Sequence, residues 1–362
     1  MDVLRPELTW VDGKCYRMNF VDPSVTRGGG DDFETYGADS YRYEDSECTV
    51  DDPCDEFEIE TTDGGRFRTS FRVPRVYFPY VIGSKGATRK RLETETKTNI
   101  WVPKQGMDGD IVITGSDKKG VAAARRRINL IVMSARQKQP FTHFISIPLT
   151  GNSIIEGFTK FREEVLESCR NRGIDASIFQ VPEKLHLTIG TLVLADNEER
   201  KKAGEVLKEC KDIVIDPLLG KRPLKLCMTG VEYMNDDPAE VDVLYGKVRV
   251  EGSSEYLLQE LADSIVEYFA NRGLMQKQYE QVKLHATVMN TLFREDKGGV
   301  SETETSKKKQ KPRESFDATA VLKIFENFHF GEQLVETLHL SQRYSTAKDG
   351  YYQSSASISL TE

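Results

Sequence analysis

Apolar and polar residues alternate in two short stretches, 184–190 and 283–289, and this alternation predicts two β-strands. In each strand one face holds only aliphatic side chains. The other face of each carries a lysine, a histidine and a threonine at alternate positions: Lys184, His186 and Thr188, then Lys283, His285 and Thr287. Each strand should therefore bury one face in a core and present the other to a ligand.

The polar faces have the chemistry needed to cleave a phosphodiester. An imidazole titrates near neutral pH, so His186 and His285 are the candidate general acid and base. Hydroxyl groups can hold an anion, so Thr188 and Thr287 are expected to bind the phosphate oxygens. Which histidine is the acid stays open.

The two lysines have two interpretations that the sequence leaves open. Lys184 and Lys283 precede the histidines by one strand repeat, and they either add positive potential to a phosphate site or are solvated residues at strand entry.

Around these strands, residues 143–345 form two similar halves, each a strand, a helix and a His-x-Thr strand. The predicted strand and helix of each half are 143–149 with 153–171, and 243–250 with 254–271. Gly173 and Gly273 are the predicted C-caps, and Ser153 and Ser253 the predicted N-caps. Two equivalent halves predict a pseudo-twofold cleft with one histidine on each wall.

The other histidines fit this frame less well. His143 and His329 are interpreted as ordinary core or surface residues. His339 precedes a leucine and Ser341, yet it has no counterpart in the duplicated frame. It is therefore interpreted as a chance match outside the catalytic pair, either a core strand residue near the site or a phosphate contact. No carboxylate or cysteine accompanies the two histidines on their face, so neither a metal nor a cofactor is expected.

An earlier segment has a different pattern, with the predicted order βααββα. Its strands are expected at 67–73, 99–103 and 110–114, and its helices at 78–82, 87–96 and 117–136. Between the first two helices lies a Gly-x-x-Gly loop, 83–86. Two glycines let the backbone approach a sugar-phosphate chain closely, and amides at a helix start can donate to phosphate.

This segment resembles type I KH domains, in which a Gly-x-x-Gly loop clamps single-stranded nucleic acid. An isolated Gly-x-x-Gly also fits a helix-turn-helix turn, but the flanking order favours the KH fold. The predicted RNA-binding residues are Gly83, Ser84, Lys85, Gly86, Arg89 and Lys90.

Charge supports the same division of the chain. Residues 1–64 carry a net charge of −13, residues 65–139 carry +12 and residues 140–362 carry −7, which gives the total of −8. A basic module of this kind is typical of a nucleic-acid binder. Arg125, Arg126 and Arg127 cannot share one helix face, so they are expected to form a solvated basic band.

The ends and composition add limits. Residues 1–64 should be largely disordered, and the first fifteen are either a docking motif for a partner or a frayed terminus. The six cysteines form no CxxC pair, and no apolar run approaches the ~20 residues of a membrane span. We therefore expect a soluble intracellular protein. The basic segment 297–313 is either a solvated loop or a nuclear-import tract.

The duplicated frame with its His-x-Thr strands resembles the two-histidine, or LigT-like, phosphoesterases, which implies catalytic roles for His186, Thr188, His285 and Thr287. Together with the KH segment, the whole chain resembles the KH-containing subunits of the activating signal cointegrator complex. That resemblance implies a nuclear protein associated with a helicase subunit, with transcriptional coactivation and with the response to alkylation damage.

The predicted fold class is thus α+β, a type I KH domain followed by a duplicated, two-lobed two-histidine phosphoesterase domain. The predicted function is a metal-independent phosphodiesterase acting on single-stranded RNA, with DNA left open as a partner. Water and the adjacent 2′-hydroxyl are both candidate nucleophiles. The alternative is a non-catalytic RNA-binding adaptor within that complex.

Overall fold

The computed structural model describes residues 7–11, 14–18, 57–62, 64–104, 106–220, 223–252, 256–277, 279–294 and 313–360. Its chain forms two compact units, Met1–Pro140 and Phe141–Glu362. The boundary between them lies next to the predicted one. No helix in the described ranges is long and apolar enough to cross a membrane.

The first unit combines a hairpin with a four-stranded antiparallel sheet of order β3-β4-β6-β5. Its strands are β1 (Glu7–Val11), β2 (Lys14–Met18), β3 (Glu60–Thr62), β4 (Arg66–Arg72), β5 (Thr98–Trp101) and β6 (Asp110–Gly115). Its helices are α1 (Phe78–Ile82), α2 (Ala87–Thr96) and α3 (Lys118–Gln137). From β4 onward the order is the predicted βααββα, and α1 and α2 have the predicted bounds.

The acidic segment contributes its last residues to this unit. β3 pairs with β4, and the Thr69 hydroxyl donates to the Glu58 carbonyl at 2.9 Å. Phe57 is buried as well. The sheet therefore begins upstream of the predicted boundary at residue 65, whereas residues 19–56, predicted to be disordered, lie outside the described part of the chain.

Helix α3 is held by a cap and by a half-buried arginine. The Asp117 carboxylate accepts from the Gly120 amide at 3.0 Å, which satisfies one of the unpaired donors of the first turn. Arg125 lies over the rings of Phe57 and Phe71, with its guanidinium carbon 4.4 and 4.7 Å from the two centroids. It also donates to the Thr69 hydroxyl at 2.9 Å. The predicted solvated band is therefore wrong for Arg125, because this side chain closes the core.

The second unit is built on one eight-stranded sheet of order β12-β9-β10-β11-β8-β7-β13-β14. Its strands are β7 (His143–Pro148), β8 (His186–Leu192), β9 (Lys225–Tyr233), β10 (Val243–Val250), β11 (Ala286–Asn290), β12 (His329–Leu334), β13 (Thr337–Gln342) and β14 (Ser354–Ser359). Its helices are α4 (Asn152–Ser168), α5 (Asn197–Cys210), α6 (Asp216–Leu219), α7 (Leu257–Asn271) and α8 (Thr319–Ile324).

One hydrophobic core joins the sheet to the helices. Leu187 and Ile189 of β8 pack in a single cluster with Phe158 of α4 and Ile265 of α7. All four are at most 2% exposed, and burying an aliphatic or aromatic side chain of this size is worth about 1.5–3 kcal/mol. The apolar face predicted for the first His-x-Thr strand is therefore the core face.

The strand order places the two predicted halves on opposite sides of one junction. Moving outward from it, β8, β7, β13 and β14 lie on one side, and β11, β10, β9 and β12 on the other. The two strand-helix-strand units thus occupy matching positions, while duplication itself stays a prediction.

The predicted helix ends are only partly right. Gly173 and Gly273 have the positive φ values expected, +76° and +69°. Helix α4 ends earlier, at Ser168, so Gly173 belongs to the turn that follows. Ser153 lies inside α4, whose N-cap is Gly151, and Ser253 lies outside the described residues.

Candidate functional site: a two-histidine cleft

The two His-x-Thr segments meet at one antiparallel pair, Leu187 of β8 and Ala286 of β11. Both side chains of this pair are fully buried. Since consecutive residues of a strand point to opposite faces, the residues on either side of the pair lie on the face away from the core. That face carries all four predicted catalytic residues: His186, Thr188, His285 and Thr287.

The register sets how these four side chains face one another. In an antiparallel pair, the residue after one member lies across from the residue before the other. Thr287 therefore lies level with His186, and Thr188 level with His285. Each imidazole has a hydroxyl from the other strand beside it, which is the arrangement expected for two groups that share one phosphate.

Both histidines are oriented by the same backbone contact. Nδ1 of His186 lies 2.7 Å from the Lys184 carbonyl oxygen, and Nδ1 of His285 lies 2.7 Å from that of Lys283. A carbonyl oxygen only accepts, so Nδ1 carries the proton in both rings. Each Nε2 is consequently left with its lone pair for a ligand.

Burial keeps both rings neutral. It lowers the pKa of His186 from 6.5 to about 4, a shift that the bond to Lys184 opposes and the proximity of His285 reinforces. Burial also lowers the pKa of His285; the Lys283 carbonyl opposes this shift, and the Lys283 charge adds to it. Two neutral imidazoles are ready to act as bases, and one must gain a proton before it can act as an acid.

Aromatic rings enclose His186. Its ring centroid lies 5.1 Å from that of Phe144 and 5.3 Å from that of Tyr352. Lys184 belongs to a 3-10 turn that begins at Pro182, so it precedes the strand that the sequence predicted it would start. Its ammonium group donates to the Thr346 hydroxyl at 2.9 Å and lies 5.0 Å from the Tyr352 ring centroid.

The wall beside His285 has a different composition. The Tyr245 ring lies 5.7 Å from the His285 ring, and Tyr245 pairs across the sheet with Thr287. Burial, with the Glu232 carboxylate beside it, raises the pKa of Tyr245 to about 12, so this phenol stays protonated. Lys283 is exposed and precedes β11, so it does not belong to the predicted strand either.

A clamp from α7 fixes the irregular approach to His285. The Asp263 carboxylate accepts from the Val282 amide at 2.6 Å, and the Gln259 side-chain amide donates to the Val282 carbonyl at 3.0 Å. The two clamp residues also bond to each other. Because residues 282–285 precede β11, this contact takes the place of sheet pairing there.

A buried polar row supports Thr188. Thr188 pairs with Ser146 of β7, and Ser146 pairs with His339 of β13. Fully buried Ser146 lies 2.9 Å from the Ser341 hydroxyl and accepts from the Tyr351 hydroxyl at 2.9 Å. His339 is therefore a strand residue near the site, as one of its two interpretations held.

The two remaining histidines lie apart from the cleft residues. His143 is buried at the start of β7, with Nδ1 2.9 Å from the Thr142 hydroxyl, and burial lowers its pKa to about 4. His329 is exposed on β12, with Nδ1 3.2 Å from the Thr229 hydroxyl. Among the described residues, no group of three or more His, Cys, Asp and Glu is placed to hold a metal ion.

Comparison with known proteins agrees with both units. Residues 68–130 match the KH domain family, and residues 141–360 match the family described as the AKAP7 2′5′ RNA ligase-like domain. Over 98% of both chains, the sequence is 44% identical to activating signal cointegrator 1 complex subunit 1 of Mus musculus.

This chain belongs to the activating signal cointegrator 1 complex subunit 1 family. The resemblances inferred from the KH loop and the His-x-Thr strands are thus confirmed, as is the KH domain followed by a LigT-like domain. A structural comparison also found the solution structure of the first KH type I domain of human vigilin. It is 25% identical, covers 23% of this chain and 88% of that domain, and has a TM-score of 0.20.

In this family member the Gly-x-x-Gly loop has positive φ angles, which glycine adopts without strain. Gly83 and Gly86 have φ values of +71° and +81°, and Lys85 between them has φ +48°. A Cβ on Gly83 would lie 2.2 Å from the Thr88 hydroxyl oxygen, so only glycine fits there. Ser84 and Lys85 are exposed at the tip of the loop.

The two predicted basic residues beyond the loop differ. Lys90 is exposed, whereas Arg89 lies 3.9 Å from the Glu93 carboxylate one helical turn away. Lys90 therefore offers the more available countercharge.

Sequence reasoning missed the residues that surround the histidines. Tyr245, Tyr352 and the Asp263 clamp come from strands, loops and a helix far away in sequence. One signal did exist, since Gln259 and Asp263 are two polar residues four positions apart, and such residues lie side by side on one face of a helix.

The protonation state of His186 provides a direct test of this geometry. Long-range ¹H–¹⁵N NMR spectra should show Nδ1 protonated and Nε2 unprotonated at neutral pH, with titration only as the pH approaches about 4. Between 6.5 and about 4 the unfolded chain binds this proton and the folded chain does not. The stability that the neutral ring contributes should therefore be complete above 6.5 and should decline as the pH falls through that window. Titration near 6.5, or a proton on Nε2, would contradict the buried geometry.

The clamp is tested by Asp263→Ala. Removing the carboxylate leaves the Val282 amide without its 2.6 Å acceptor, so hydrogen exchange at that amide should accelerate by roughly tenfold or more. Glu260→Ala, at an exposed position of the same helix, is the matched control. Unchanged exchange in Asp263→Ala would show that the strand approach is held by other contacts.

Proposed function

We propose that this protein is a phosphodiesterase that acts on single-stranded RNA. The KH unit binds the strand. His186 and His285 catalyse cleavage of a phosphodiester bond, either by hydrolysis or by attack of the adjacent 2′-hydroxyl. The observation that carries this proposal is a pair of imidazoles fixed in the same tautomer, so that each Nε2 can accept a proton. Each histidine also lies across the sheet from a threonine of the other strand.

The chemistry requires two proton transfers. Nε2 of one neutral histidine takes the proton from the attacking oxygen while the new P–O bond forms. The other histidine, protonated on Nε2, gives its proton to the leaving oxygen while the old P–O bond breaks. Each transfer typically contributes about 10²–10⁴ in rate.

Substrate binding explains how one of the two histidines gains the proton that it needs to act as the acid. Both rings are neutral at neutral pH because burial lowers their pKa values. An anionic phosphate beside an imidazole favours the charged ring, so substrate binding raises the pKa of the histidine it contacts. The hydroxyl groups of Thr188 and Thr287 donate hydrogen bonds to the non-bridging phosphate oxygens and stabilise the charge that develops there.

The nucleophile determines the product. Water as the attacking oxygen hydrolyses a phosphodiester or a 2′,3′-cyclic phosphate end. The adjacent 2′-hydroxyl instead cleaves the RNA strand and leaves a cyclic end. Both reactions use the same two imidazoles, and neither requires a third proton carrier.

We further propose that the protein is a nuclear subunit of an activating signal cointegrator complex and that it meets a helicase subunit there. The name and the 44% identity of the mouse relative support complex membership. The basic segment 297–313 is the proposed import tract, and all of it except Arg313 lies outside the described residues.

The rival function, a non-catalytic RNA-binding adaptor, is favoured by one observation, that the relative is named as a complex subunit. An adaptor requires a strand-binding KH unit but no proton transfer, so turnover distinguishes the two functions.

His186→Ala and His285→Ala should each lower kcat on labelled single-stranded RNA or a cyclic-phosphate nucleotide by about 10²–10⁴. The double variant should lose less than the product of the two effects, because the histidines act as a unit. Wild-type activity should survive EDTA, since the imidazoles make both transfers.

His329→Ala, which changes an exposed histidine outside the cleft, is the matched control and should keep full turnover. Equal turnover in wild type and the double variant would remove the cleft from the chemistry. If no protein shows turnover while all bind RNA, the adaptor function is established instead.

In the KH loop, Ser84→Asp with Lys85→Asp should weaken binding of single-stranded RNA by at least about tenfold, because two carboxylates are placed where phosphate approaches. Both side chains are exposed, so the melting temperature should stay within a few degrees. Lys119→Asp, the same lysine-to-aspartate change at an exposed position of α3 outside the loop, is the control. Unchanged affinity in the loop variant would place the RNA elsewhere.

A further inference from the structure

The loop between β13 and β14, residues 343–353, lies against the His186 side of the cleft. Its Thr346 hydroxyl accepts from the Lys184 ammonium group at 2.9 Å, and its Ser345 carbonyl lies 3.3 Å from the same nitrogen. At its far end Tyr352 packs on His186.

The loop begins with a three-layer stack. The Arg343 guanidinium carbon lies 4.1 Å from the ring centroid of Phe141 and 4.4 Å from that of Tyr344. Backbone contacts hold the arginine in place, since its amide donates to the Thr142 carbonyl at 2.9 Å and its guanidinium group donates to the Phe141 carbonyl at 3.4 Å. The Arg343 plane is therefore fixed between two rings.

The outermost ring is presented to solvent in an unusual way. Tyr344 is 78% exposed, and its φ of +58° is one that a tyrosine rarely adopts. A backbone in this region is kept only where its surroundings enforce it, and such residues concentrate at ligand clamps. Here the enforced conformation places an aromatic ring over a cation rather than in a core.

Contacts between aromatic rings connect this stack to His186. Phe141 and Phe144 have centroids 6.4 Å apart, and Phe144 lies 5.1 Å from His186. A series of packing contacts therefore links the exposed Tyr344 ring to His186, and it passes beneath the surface because Phe144 is buried.

We propose that Tyr344, backed by Arg343, is a stacking platform for a nucleobase of the single strand whose phosphodiester lies at His186. A base offers a flat π-face whatever its identity, and the guanidinium charge beneath the tyrosine ring favours a ligand that also carries phosphates. The platform positions the substrate and takes no part in proton transfer. This inference rests on the proposed function, since it identifies a substrate subsite of the same cleft.

The test uses the full-length chain with His186→Ala and His285→Ala, so that RNA is bound without being cleaved. Ser84→Asp and Lys85→Asp are added, so that the KH loop does not dominate binding. A short single-stranded RNA carries 2-aminopurine at one position after another, and its fluorescence reports stacking of each base.

In this background, the fluorescence of 2-aminopurine at one position of the RNA should be quenched when the RNA binds. Tyr344→Ala should abolish that quenching and weaken affinity by about 5- to 150-fold, the range expected for loss of one base–aromatic stack. Tyr344→Phe, which keeps the ring, should restore both signals. Tyr256→Ala is the matched control, because Tyr256 is 76% exposed but lies at the start of α7.

The outcomes separate this inference from the proposed function. If wild type cleaves RNA and Tyr344→Ala changes neither quenching nor affinity, the platform is refuted while the catalytic function stands. If Tyr344-dependent quenching occurs in this background but the protein with both histidines intact shows no turnover, the platform stands and the catalytic function falls. If Tyr344→Ala impairs assembly with protein subunits while RNA binding is intact, the ring belongs to a protein interface and the inference is overturned.

Discussion

One antiparallel pair of buried side chains, Leu187 and Ala286, joins β8 to β11 at the centre of the second unit's sheet. Everything on the polar face follows from that contact, because alternation along each strand then decides which residues meet above it. A slip of one residue in either strand would bury a histidine and expose an aliphatic side chain. The hydrophobic effect thus sets the register, and the register sets the chemistry.

The orientation of the two histidine rings depends on a second contact, between residues close together in the chain. Each imidazole bonds to the backbone carbonyl two residues earlier, so the tautomer is determined by the chain that carries the ring. Such a bond survives any change of side chain at the lysine positions. The two walls differ beyond that point, with Phe144 and Tyr352 around His186 but Tyr245 beside His285.

Local patterns predicted the elements well, because strand alternation, helix periodicity and the glycine loop are all encoded within a few residues. α1, α2 and β10 have the predicted bounds, and the four His and Thr residues share the predicted face. Long-range contacts were not accessible in this way. The Asp263 clamp joins a helix to a strand approach, and Tyr352 reaches His186 from near the end of the chain. The end of one helix was also missed, since α4 stops at Ser168, before Gly173, which the sequence predicted as its C-cap.

The packing of Arg125 on two aromatic rings changes how the charge of the KH unit should be counted. A net charge of +12 over residues 65–139 suggests many available cations, but Arg125 is stacked on two rings, Arg127 is paired with Glu95 and Arg89 with Glu93. Counterion release depends on the cations that reach phosphates, with a slope of about 0.7 per phosphate for single strands. The dependence of RNA affinity on salt concentration should accordingly be shallower than the formal charge implies.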